Sequence, residues 1–313
     1  MIWLIWRQHR GELLGALVVL AGLGALLLLH GVPMHRAFDR DGIAACQQFV
    51  FGAEALRPDQ TGVDRSCFDT LRAFDDRFTA LPDQFTTWLP FLPMLAGMLI
   101  GAPLLAREYE QGTWQLAWTQ GVTRARWLAT TIAAVLGGVL AVSAVFAVGM
   151  TWWIGPLTPQ QFTPEKFNHA VLVFPGYVLV AVAIGILAGV VVRRTIVAAA
   201  ITVGGYLAVR LPIEFGLRPR FRDPLTTDVL AEAEGGWITH DIQVGSSPDG
   251  SPFPDSTQTF EYHPADRFWD FQLIETAILI GITTVLIVIA WRLVVGRKPS
   301  ATSEPGELAG SPR

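Results

Sequence analysis

Lysine is nearly missing from this chain: two of 313 residues, Lys166 and Lys298. A phosphate-cradling P-loop ends in Gly-Lys-Ser/Thr. Lys166 stands in Glu-Lys-Phe and Lys298 in Arg-Lys-Pro, so the chain does not bind ATP by that device. Charge of any sign is scarce. Only 16% of residues are charged, against about 25% in ordinary soluble domains, which argues against a plain soluble enzyme. Two cysteines exclude a disulfide-dense scaffold. HExxH, CxxC and GxSxG are all missing, as is any Ser/His or paired-Asp arrangement within the apolar runs, so catalysis is poorly supported. What is abundant is apolar: 51% hydrophobic residues and a mean hydropathy of +0.40. That excludes a disordered chain. A net charge of −4 leaves no electrostatic footprint for nucleic acid.

The apolar residues are clustered. Residues 13–29 hold no polar side chain, and 84–106, 127–164, 167–192, 195–209 and 276–291 are low in charge or free of it. A spanning helix needs about 20 mostly apolar residues. The expected spans are 12–31, 85–106, 127–152, 170–192, 195–215 and 270–292. The first is read as retained, because no small-x-small cleavage site follows it. Positive charge sets orientation. With both termini cytoplasmic, the inner pieces hold 11 Lys/Arg in 57 residues and the outer pieces 11 in 124. Arg193-Arg194, in a short loop, is the clearest marker. The fold class is thus an all-α polytopic membrane protein with six transmembrane helices. Residues 1–295 form one transmembrane domain and 296–313 a disordered cytoplasmic tail.

Two sizeable outer loops are expected, 32–84 and 216–268. Phe68, Leu71, Phe74, Phe78, Leu81 and Phe85 recur at helical spacing. A weaker stripe, Ile43, Cys46, Phe49 or Val50, Ala53 and Leu56, precedes them. Together they predict a helical hairpin. Cys46 and Cys67 fall on its two arms, where an oxidising exterior favours a bridge over two free buried thiols. In the second loop, 237–244 and 257–262 partly alternate and predict a β-hairpin with a long Pro/Gly/Ser tip. His240 and His263 lack metal-ligand spacing. They are read as solvated surface residues, with no metal site.

Charged residues inside spans are costly. Arg210, Glu214 and Glu275 stand out. Arg210 and Glu275 lie at similar depths and are expected to pair; snorkelling to the headgroups is the alternative. Gly97–Gly101 and Gly185–Gly189 are small-xxx-small faces, which pack within a bundle or contribute to a dimer seam. Pro90, Pro93, Pro103 and Pro175 predict kinks. At the N-terminus Trp3, Trp6, Arg7 and Arg10 fit an interfacial segment on anionic lipid, with Gly11 as a break before span one.

The inner loop carries the sharpest signal. Residues 105–130 read LAREYEQGTWQLAWTQGVTRARWLAT. Trp114, Leu116 and Trp118 put apolar bulk where a bare connector has none, as a docking surface or a headgroup-level segment. The string Arg107-Glu108-Tyr109-Glu110-Gln111-Gly112-Thr113, followed by Thr123-Arg124, resembles the inner loop of ABC-2 type transporter permeases. Tyr262–Gln272 resembles an actinobacterial-type subgroup of them. The N-terminal segment is similar to their elbow helix. The resemblance implies a permease subunit of an ATP-driven exporter in a bacterial plasma membrane. Its partners would be an ABC ATP-binding subunit, a second permease copy or homologue, and membrane lipids, with no nucleic acid. ATP and Mg would be bound by the partner subunit, with no cofactor in this chain. Glu108, Gly112, Thr113, Trp114, Trp118 and Arg124 would couple to the ATPase. Glu108 would pair near Arg124 or Arg126, Gly112 would turn the chain, and Thr113 would cap a short helix. The long loop after span one departs from many members, so substrate class is not carried over. The rivals are an ion-gradient transporter and a non-transporting membrane sensor or scaffold.

Overall fold

A computed structural model describes residues 2–51, 65–112, 123–158, 162–228, 235–246 and 252–296. The first helix, α1 (Ile2–Arg40), is 39 residues long and includes the run expected as span one. Its rise of about 58 Å exceeds the roughly 30 Å hydrocarbon layer. The backbone is helical through Gly11, so the expected break there is absent and no separate elbow is set off. The side chains of Trp3, Trp6, Arg7 and Arg10 lie outside the described residues. Two short helices follow, α2 (Ile43–Phe51) and α3 (Arg65–Phe78).

Five helices among the described residues are long and apolar enough to cross a membrane. They are α4 (Ala80–Gln111), α5 (Arg124–Ile154), α7 (Val173–Val192), α8 (Thr195–Leu211) and α9 (Phe268–Val295). The one-turn helix α6 (Pro164–Asn168) precedes α7. Two corrections extend the expected spans. Helix α4 starts five residues before 85 and runs five past 106. Helix α8 continues through a π-turn (Pro212–Leu217) and a 3-10 turn to Arg220.

Helix α7 is the axis of the bundle. Most of its apolar stretch is buried, whereas most of that of α5 is not. The outer helices leave apolar side chains uncovered, with Leu99 66%, Val145 74% and Ile196 84% exposed. A water-soluble surface rarely carries so much contiguous apolar area. Close approach makes α7 central. A Cβ on Gly97 would strike the Ala181 carbonyl, and one on Gly189 would come within 2.8 Å of Ala102 O. Both small-xxx-small faces therefore seal α4 against α7 within one chain. Pro90 opens a 3-10 turn in α4 (Leu89–Phe91), and Gly97–Gly101 form a π-turn. Pro175 sits in the first turn of α7. There a missing N–H leaves nothing unpaired, and the kink expected at Pro175 does not arise.

The hairpin and a sheet lie at one end of the bundle. Cys46 and Cys67 form a disulfide with Cα atoms 5.2 Å apart. Ile43, Leu71, Phe74 and Phe78 are buried against Met34 and Trp153. Phe68, placed in the stripe, is 47% exposed. Trp153 Nε1 donates to His30 Nδ1 at 3.0 Å, and His35 donates to Trp152 O at 3.0 Å, tying α1 to α5. Three antiparallel strands, β1 (Leu225–Thr227), β2 (Trp237–Ser246) and β3 (Pro252–His263), pair in the order β1-β3-β2. The expected hairpin is β2–β3, with Ile242 opposite Thr259. Strand β1, three residues long, was not expected. The 296–313 tail, from residue 297 on, and the centre of the tip, 247–251, lie outside the described residues.

Candidate functional site

Two polar constellations stand out, one at each end of the bundle. The first surrounds the end of α4. Helix α4 closes at Gly112, whose φ of +70° is left-handed. Glycine takes that conformation without a Cβ penalty, so the helix stops and the chain turns. Glu108 occupies the last turn of α4. Thr113, Trp114 and Trp118 lie outside the described residues, as does the side chain of Arg124. Thr123 caps α5 by accepting from Arg126 N–H at 3.3 Å.

The connection between α7 and α8 docks against the last turn of α4. Arg193 is left-handed, φ +57°, and its guanidinium lies 5.1 Å from the Tyr109 ring centre. Glu110 reaches the start of α8. Its carboxylate accepts the Thr195 backbone N–H at 3.1 Å and the Thr195 hydroxyl at 2.6 Å. A carboxylate at a helix N-terminus satisfies orphan donors and faces the positive end of the macrodipole. Glu110 is not among the expected coupling residues, because its contact with α8 exists only through the tertiary approach of the two helices.

The second constellation is at the sheet end. Arg210, Glu214 and Arg218 recur every fourth residue along α8 and its extension, on one face. Arg210 Nε bonds Glu214 at 2.9 Å. Arg218 grips Glu275 of α9 through two bonds of 2.7 Å. The expected direct Arg210–Glu275 pair is thus replaced by two pairs. Tyr177 stands between them, donating its hydroxyl to Glu275 at 2.7 Å and offering its ring face to Arg210 at 4.2 Å. Arg218 won Glu275 because α8 does not end at 215. The extension carries Arg218 onto the face that meets α9. Continuing the four-residue spacing past the expected end would have found it. The charges are internal, since Arg210 is 4%, Arg218 2% and Glu275 0% exposed. Gln272, one turn before Glu275, accepts from Val173 N–H and donates to Phe167 O, sewing α9 to α6 and α7.

His263 is a further correction. It is 0% exposed and not on the surface. Its Nε2 donates to Pro219 O at 3.2 Å, leaving Nδ1 as acceptor toward Arg267. Burial, with Arg267 adding to it, holds its pKa below the ordinary imidazole value. His240 stays exposed, 3.7 Å from Glu261. Among the described residues no three His, Cys, Asp or Glu side chains converge as a metal would require.

Residues 17–218 match a family described as ABC-2 membrane transporter related. The match takes in well over half of the chain, including the 105–130 loop and α8 as far as Arg218. The chain belongs to that family. This ABC-2 family member is therefore a membrane protein related to transporter subunits, and the family typically works with a separate ATP-binding subunit. No curated protein and no solved structure shows significant similarity to the chain.

Proposed function

We propose that this ABC-2 family member is the permease subunit of an ATP-driven exporter in a bacterial plasma membrane. Six helices cross the bilayer, 12–31 being the first, and both termini are cytoplasmic. The permease pairs with a second copy or homologue, and a separate subunit binds ATP and Mg. That subunit docks on residues 108–122. Movement there passes to α8 through Glu110–Thr195 and Tyr109–Arg193, biasing a two-state bundle. The N-terminal Trp and Arg residues rest on anionic headgroups.

The observation that carries this reading is the family match over a span plan that contains the Glu108…Gly112-Thr113 loop. The helix stop at Gly112 supports it, because α4 ends inside the segment read as the coupling element. An ion-gradient carrier would want ionisable groups at mid-depth. The described buried charges cluster at one end instead.

The test is co-purification with a P-loop ATPase encoded beside this gene. The wild-type chain should retain the ATPase in a pull-down, and Glu108→Ala with Gly112→Val should lose it. If no protein with ATPase activity binds the wild-type chain, the reading fails.

A further inference from the structure

Three spanning helices carry an exposed tryptophan at the sheet end: Trp88 on α4, Trp152 on α5 and Trp269 on α9. Exposed indoles at helix ends settle at the headgroup level of a bilayer, so these three mark one edge of the membrane. Helix rise then locates the other edge. At ~1.5 Å per residue, Arg107 lies roughly 29 Å from Trp88, Arg292 roughly 35 Å from Trp269 and Arg126 roughly 39 Å from Trp152. These lengths match a bilayer whose hydrocarbon is about 30 Å thick and whose headgroups extend it to about 40–45 Å. Helix α7 agrees. Its 20 residues rise about 30 Å, and Arg193-Arg194 follow at once. That turn holds only these two residues before α8 begins, too few to reach past the headgroup layer. The loop-end arginines therefore stand at the phosphate depth of the second leaflet.

Arginines at the two ends are in opposite states. At the sheet end, Arg210, Arg218 and Arg222 bond carboxylates, and Arg220 and Arg267 bond backbone carbonyls. At the loop end, Arg126, Arg194 and Arg292 are exposed, and their guanidinium groups make no hydrogen bond or ion pair among the described residues. Two carboxylates share that end. Glu110 lies near Arg194, but both its oxygens are on Thr195, and Glu108 is a single charge in the last turn of α4. Among the described side chains there, five arginines face these two glutamates. Lipid-facing apolar side chains adjoin the free cations: Val191, Ile196 and Val197 beside Arg194, and Val295 beside Arg292. A cation at phosphate depth bordered by exposed apolar surface is complementary to a phospholipid, headgroup and tails together. All the cations are arginine, whose planar fork matches phosphate oxygens.

We propose that this arginine collar binds anionic phospholipid of the leaflet at the loop end, with phosphates on Arg126, Arg194 and Arg292 and tails along Val191, Ile196 and Val197. The claim needs only that the chain crosses a membrane and is independent of the permease reading.

The test uses the full chain in phosphatidylcholine vesicles, with no ATPase present. Spin-labelled phosphatidylglycerol and phosphatidylcholine with identical tails are added in turn, and the motionally restricted fraction of each gives their relative association. Phosphatidylglycerol should associate at least about fivefold more strongly, the effect expected of one cation near an anionic headgroup. The combined variant Arg126→Gln/Arg194→Gln/Arg292→Gln should bring the ratio to about one. Arg222→Gln, at the sheet end, should leave it unchanged. Millimolar glycerol phosphate should not displace the labelled lipid. Equal association of the two lipids, a preference that survives the combined variant, or displacement by glycerol phosphate overturns the proposal. So does a collar that shows no lipid preference and whose combined variant loses the ATPase in a pull-down, which would make it a protein-docking surface. Failure of the wild-type chain to bind any ATPase would sink the permease reading and leave this result standing.

Discussion

At the sheet end of the bundle, Arg218 and Glu275 meet with side chains 3% and 0% exposed. At the loop end, Glu110 meets Thr195 in an exposed bond. Both contacts join a carboxylate to α8 or its extension, yet their physics differs. A buried ion pair gives up hydration, and it is tolerable only because Arg218 binds both carboxylate oxygens and Tyr177 satisfies one further lone pair. Removing one partner strands the other in an apolar setting. An exposed cap falls back on water when broken. The sheet end is therefore fixed with high stakes, and the loop end is held by contacts that can be exchanged. On the proposed reading, a rigid anchor stands at one end and a releasable contact at the end where the ATPase would dock.

The sharpest way to break this contrast is Glu275→Leu, which leaves Arg218 uncompensated. It should cost about 3–5 kcal/mol. The double variant Glu275→Leu/Arg218→Met should recover most of that. Thermal unfolding in nanodiscs reads both, and an unchanged midpoint for the single variant would put the pair in contact with water. Next in size is the Cys46–Cys67 bridge, which closes a 21-residue separation. Reduction, or Cys46→Ser, should cost about 3 kcal/mol, seen as a lower midpoint confined to the wild type when reductant is added. Gly97→Val should follow, at about 1–3 kcal/mol, since its neighbour is the Ala181 carbonyl and backbone cannot step aside.

His263 sharpens the comparison through pH. Its folded pKa is lowered from 6.5. Above about 6.5 both states are neutral, and its contribution is complete. As pH falls through 6.5 toward the lowered folded value, the unfolded chain takes up a proton that the folded chain refuses. Stability then drops. Acid unfolding of the wild type should show this slope as pH falls below about 6.5, and His263→Gln should flatten it. The smallest effect belongs to the loop end. Glu110→Gln should speed amide exchange at Thr195 while the unfolding midpoint stays put. A large midpoint shift would mean the two ends are alike.

Much of the bundle was legible because hydropathy is written residue by residue. The runs at 85–106 and 127–152 are the cores of α4 and α5, and 195–215 covers α8 and the start of its extension. Helical spacing also placed Phe74 and Phe78 in the core, and Cys46 opposite Cys67. Missed features share one cause. Tyr177, Glu110 and Gln272 acquire their roles by long-range approach, and each looks ordinary beside its sequence neighbours, as does the partner that Arg218 finds in Glu275. His263 was misplaced for the same reason, since its burial comes from Trp237 and Phe271 packing on it. Strand β1 is three residues long, too short for an alternating pattern to declare itself.

The central claim is that an ATPase works through the 108–122 loop. The most direct measurement is the ATP hydrolysis rate of the neighbouring ATPase, alone and with this chain in nanodiscs. The account predicts that the chain changes the rate and that Gly112→Val, which forbids the left-handed helix stop, abolishes the change. A rate indifferent to the chain, or a response that Gly112→Val leaves intact, would contradict it.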